Sequence, residues 1–79
     1  MPGGQIPLKA VWAMLDECAV GHSRKLHTHN YSIRFCGRTF PHFPKGEHGS
    51  SNPPIQRGTV RRMAKFFGIL ECARKHFDI

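Results

Sequence analysis

Two histidines one residue apart, in the stretch His27-Thr28-His29-Asn30, are the side chains of this sequence best suited to moving protons, because imidazole changes charge close to neutrality. An imidazole can take the proton from a ribose 2′-hydroxyl so that the oxygen attacks the adjacent phosphorus. That reaction also needs cations to steady the charge that collects on the phosphorane. Arg24, Lys25, Arg34 and Arg38 flank the histidine pair and supply them. His29 is therefore the candidate catalytic base, with His27, Thr28 and His42 as candidate RNA contacts beside the four cations. By spacing alone, ordinary surface histidines on a basic protein are the simpler explanation, and something more specific has to outweigh it.

A second set of cations, Arg61, Arg62 and Lys65, offers phosphate contacts, and a helix beginning near Gly58-Thr59 adds an N-terminus that attracts anions. The same charges suit a solvated helix face or a protein partner. Six histidines and three cysteines raise the question of a metal. No Cys-X-X-Cys or His-X3-His pair occurs, however, and Cys36 with His42 is isolated, so no metal is expected.

The elements that must position these residues are legible in the apolar pattern. Over residues 7–19, Leu8, Val11, Trp12, Leu15 and Cys18 fall at helical spacing, Pro7 suits a first turn, and Gly21 ends the run. Lys9, Asp16 and Glu17 lie off the apolar stripe. From 23 to 43 the period changes to two: Tyr31, Ile33 and Phe35 alternate with Ser32 and Arg34, which predicts a strand. Cys36-Gly37 predicts a two-residue reversal, after which 38–43 pairs back, and an earlier strand covers 24–27. Residues 45–55, with Pro53-Pro54, read as an exposed loop without regular structure. Val60, Met63, Ala64 and Phe67 restore the helical period until Gly68, and 70–77 suggests a further short turn carrying Cys72, Ala73 and Phe77 inward. Trp12, Phe66 and Phe67 are expected in the core rather than as platforms for bases. Three strands flanked by helices make an α+β layer.

With 79 residues the chain is expected to be one domain, 1–79, with a flexible N-terminus over 1–5. Twelve Lys and Arg against five Asp and Glu give a formal charge of +7, which favours a polyanionic partner such as nucleic acid. Three cysteines without close pairs argue against a secreted disulfide framework and are expected as reduced, mostly buried thiols. No long apolar run or signal-peptide pattern occurs, so the expected compartment is the cytoplasm, without membrane association.

Thr28-His29-Asn30, then Gly37-Arg38-Thr39-Phe40-Pro41-His42, then Gly58-Thr59-Val60-Arg61-Arg62-Met63-Ala64-Lys65, ending at Gly68-Ile69, resemble the HicA toxins in order and spacing. The similarity runs from the first helix through Ile69, and its most specific piece is the Gly-Thr-hydrophobic-Arg opening of the second helix. The resemblance implies a double-stranded-RNA-binding-domain-like α-β-β-β-α fold with a short C-terminal helix. It also implies a type II toxin that cleaves mRNA independently of metal or other cofactor, and a HicB-like antitoxin as its partner. The family's catalytic histidine follows Gly-Ser at the strand turn and maps onto His29. His27 and Thr28 stand here where Gly and Ser would be, and Asn30 where a second histidine is common.

The expectation is thus an endoribonuclease with His29 as general base. Its main rival is a non-catalytic double-stranded-RNA-binding module using the same basic sheet and helix, since A-form RNA is gripped through phosphates and 2′-hydroxyls. A positively charged protein that docks an acidic partner is the third reading.

Overall fold

Apolar residues at helical spacing and strictly alternating ones sort this chain into helices and a sheet whose inner faces meet. The computed structural model describes residues 4–45 and 52–79. The element order is β1 (Gln5–Pro7), α1 (Leu8–Cys18), β2 (Ser23–Leu26), β3 (Asn30–Phe35), β4 (Arg38–Pro44), β5 (Pro54–Gln56), α2 (Arg57–Phe67) and α3 (Leu70–Ala73). β2, β3 and β4 form one antiparallel sheet in that order, and β1 pairs with β5 in a separate two-stranded ladder. The chain is a small α+β domain.

Leu8, Val11, Met14 and Leu15 of α1 and Val60, Met63, Ala64 and Phe67 of α2 are buried, together with Ile33 and Phe43 of the sheet. Aromatic rings bind the layers together. Trp12 stands edge-on to Tyr31 with centroids 5.0 Å apart, and Phe35 meets Phe67 at 6.0 Å. Such edge-to-face pairs add about 0.5–1.5 kcal/mol beyond the area they bury.

The β3–β4 hairpin turns on Cys36 and Gly37, both with positive φ (53° and 79°), between the paired residues Phe35 and Arg38. Positive φ at both loop positions matches the twist of the flanking strands, and glycine adopts it without penalty. One irregularity interrupts the β3–β4 pairing. Tyr31 faces Phe43 and Ile33 faces Phe40, so Ser32 alone opposes Pro41 and His42. This extra residue is what lets Phe40 and Phe43, three apart, both turn towards the helices. At the other end of the core, Gly68 closes α2 at φ 73° while the Ile69 amide reaches back to the Ala64 carbonyl.

Four expectations need correction. Gln5, expected in a flexible end, belongs to β1, with Gln5↔Gln56, Ile6↔Ile55 and Pro7↔Pro54 in register. Residues 1–3 lie outside the described part. Within 45–55, residues 46–51 also lie outside it, but Pro53 and Ile55 are buried and Pro54–Gln56 is a strand. Prolines do not prevent this ladder because the flanking bonds run from the Leu8 amide to the Pro53 carbonyl and from the Arg57 amide to the Gly4 carbonyl. By antiparallel alternation, Pro7 and Pro54 then oppose each other at a position that calls for no amide donor. Each helix also has its first orphan amide satisfied by the residue just before the strand that leads into the other helix.

The third correction concerns the cysteines. Cys18, ending α1, and Cys72, in α3, form a disulfide with Cα atoms 5.8 Å apart, and Cys36 is an exposed free thiol. Both partners are half-buried, and the bond joins two residues 54 apart in sequence. His76 and Glu17 tie the same segment to α1 with a 2.8 Å contact. Phe66, expected in the core, is 38% exposed.

Candidate nucleic-acid interface

The β2–β3 hairpin sets out most of the candidate residues. Leu26 pairs with Tyr31, and the His27 amide donates to the Asn30 carbonyl at 2.7 Å, which leaves Thr28 and His29 as the exposed loop. Directly opposed residues share a face of the sheet. Arg24 opposite Ile33 and Leu26 opposite Tyr31 belong to the helix side. Ser23 opposite Arg34 and Lys25 opposite Ser32 belong to the other side, as does Thr39 opposite Arg34 on β4. The helices cover only the inner side, so this outer face presents Lys25, Arg34 and Thr39 exposed.

At the hairpin end of the outer face, His27 Nε2 lies 3.0 Å from Ser32 Oγ. Asn30 donates from Nδ2 to the Pro41 carbonyl and, at 3.2 Å, to the Tyr31 carbonyl, which ties the start of β3 to the bulge in β4. His42 sits in that bulge, exposed, across from Ser32. His27, His42 and Ser32 are thus gathered at one end of the face, next to the loop that holds His29. Among the described residues, no side chain hydrogen-bonds to the His29 imidazole. Ser32 was not among the sequence candidates. Its signal was parity, since Asn30, Ser32 and Arg34 alternate with the buried series of β3.

The remaining candidates lie elsewhere. Arg24 is committed to the fold: its guanidinium bonds to Asp16 at 3.0 Å and to His22 Nε2 at 3.0 Å, and stacks 4.5 Å over the Trp12 ring. His22 Nδ1 is 2.8 Å from the Ala19 carbonyl, so this nitrogen carries the proton and Nε2 accepts from Arg24. Arg38 projects to the inner side, donating to the Phe66 carbonyl at 2.9 Å. Arg61, Arg62 and Lys65 are exposed on α2, the helix that covers the inner side, so they leave the molecule away from the outer face. The opening of α2 is less available to an anion than its sequence suggests: Gly4 accepts the Arg57 amide and Thr59 is buried.

No match was found among family models, curated proteins or solved structures. The chemistry of the site therefore rests on the residues themselves. The outer face combines two exposed cations, an imidazole held by a hydroxyl, a second imidazole in the bulge and a third in a solvent-facing turn. Such a surface can hold a phosphodiester through Lys25 and Arg34 and exchange protons with it at the hairpin end. Among the described residues, no three His, Cys, Asp or Glu side chains converge as metal ligands do, and no helix is long and apolar enough to cross a membrane.

Proposed function

We propose that this chain is a HicA-type toxin, an endoribonuclease that cleaves mRNA in the cytoplasm and is neutralised by a HicB-like antitoxin. The observation that carries the reading is the position of His29, exposed in a two-residue turn at the end of an uncovered basic sheet face. In this proposal His29 takes the 2′-hydroxyl proton, Lys25 and Arg34 hold the phosphate, and neither metal nor other cofactor takes part. The α-β-β-β-α core of the fold suits a double-stranded-RNA-binding-domain-like assignment. The ordered similarity of Thr28-His29-Asn30, the Gly37-Arg38-Thr39 hairpin and the Gly58-Thr59-Val60-Arg61 helix opening to the HicA pattern supports it independently. Cytosolic thiol buffers keep cysteine pairs reduced, so in that compartment Cys18 and Cys72 lie as neighbouring thiols that oxidation joins.

The test is incubation of the purified chain with RNA in the presence of chelator. Cleavage is expected, and His29→Ala is expected to lower its rate on the order of 10²–10⁴-fold with an unchanged unfolding midpoint. Undiminished cleavage by that variant removes His29 from the reaction. A non-catalytic RNA-binding module is the second reading. It is favoured by the His29 ring itself, to which, among the described residues, no side chain supplies the orienting hydrogen bond that a general base commonly has. Salt-sensitive RNA binding without product would establish it.

A further inference from the structure

We propose that His27 is the general acid of this site, the group that protonates the departing 5′-oxygen, and that Ser32 is its positioning residue; this rests on the proposed ribonuclease reading. RNA cleavage by 2′-oxygen attack needs two proton transfers at opposite ends of the phosphorane, because the attacking and leaving oxygens are both apical. His29 in the loop serves the first. A second group must stand on the far side of the phosphorus and deliver a proton there.

His27 meets the geometric requirement. Its backbone closes the turn through the bond to Asn30, so its position is set by the hairpin, whereas His29 lies in the two-residue loop itself. One residue, Thr28, separates the two histidines, so their Cα atoms are at most roughly 7 Å apart when extended, which brackets a phosphate lying across the turn. His27 Nε2 is held 3.0 Å from Ser32 Oγ, and among the described residues Nδ1 has no hydrogen-bond partner. The hydroxyl fixes the ring, and the other nitrogen is left to meet the substrate. Lys25, directly opposite Ser32 on the same face, adds positive charge beside the phosphate.

The step balances without a co-reactant. The 2′-hydroxyl proton passes to neutral His29 as the 2′-oxygen bonds to phosphorus. The P–O5′ bond breaks, and the proton of His27 imidazolium passes to O5′. The products are a 2′,3′-cyclic phosphate and a 5′-hydroxyl end, with His29 protonated and His27 neutral until solvent restores both.

The test uses the full chain and two RNA oligomers identical except at the linkage that wild type cuts, where the leaving atom is oxygen in one and sulfur in the other. A thiolate departs without protonation. His27→Ala and His27→Gln are expected to slow the oxygen substrate on the order of 10²–10⁴-fold while cleaving the sulfur substrate within a few-fold of wild type. Ser32→Ala should show a smaller loss with the same selectivity, and Ser32→Thr should restore the rate. His29→Ala should be slow on both substrates. Equal losses on both substrates in the His27 variants, or no loss on either, would overturn the acid assignment while leaving the ribonuclease reading intact. Failure of wild type to cut RNA overturns both.

Discussion

Arg24 and Lys25 are neighbours in sequence and look interchangeable as phosphate ligands, yet the fold gives them opposite duties. Arg24 faces Ile33 and is absorbed by Asp16, His22 and Trp12, while Lys25 faces Ser32 on the open side. Arg24→Ala is accordingly expected to destabilise the chain by about 1 kcal/mol, the scale of one exposed cation–π contact and a half-exposed ion pair. It should leave RNA affinity within a few-fold of wild type. A denaturant melt and a filter-binding titration check the two halves, and a large affinity loss with intact stability would return Arg24 to the RNA surface. The sequence could not make this distinction, because which residue of β2 meets which of β3 depends on a pairing register that local pattern leaves open. The same register hid Ser32 as the partner of His27.

Among the elements, both main helices and the three-stranded sheet were legible, since each has an apolar period long enough to stand above noise. The Cys36-Gly37 hairpin was legible from turn chemistry. β1 and β5 were not: each has three residues, two of the six are prolines, and only their mutual pairing gives them identity. The disulfide was hidden for a related reason, as nothing local reveals that the end of α1 lies against α3. Joining residues 54 apart restricts the unfolded chain by about 4 kcal/mol in the chain-entropy account. Reduction should therefore lower stability by up to that amount and loosen the backbone from Leu70 to Phe77 selectively. Hydrogen exchange with and without reductant measures this. Equal protection of that segment in both states would mean that packing of Ala73 and the His76–Glu17 contact suffice without the bond.

At the scale of the whole molecule, the Cα extents of 31 × 30 × 17 Å describe a slab whose two broad sides carry different cation sets. Lys25 and Arg34 occupy the sheet side, and Arg61, Arg62 and Lys65 the helix side. If RNA lies on the sheet side, Lys25→Ala combined with Arg34→Ala should weaken binding and flatten the logarithmic salt dependence by roughly 1.4 for a single strand. Replacing Arg61, Arg62 and Lys65 should change that slope little. The reverse pattern, read from affinities at several salt concentrations, would move the RNA to α2 and leave the sheet side for another partner.

The crossed bonds at the two helix openings carry a consequence for how this chain acquires its shape. Gly4 receives the leading amide of α2, and Pro53 that of α1, so each helix depends for its start on a segment from the opposite end of the sequence. The amide that opens each helix gains its protein partner only after a distant encounter, and the loop-closure cost of such pairings slows assembly relative to a bundle built from neighbours alone. Damage to the leading strand would thus be felt first in the helix that lies fifty residues downstream.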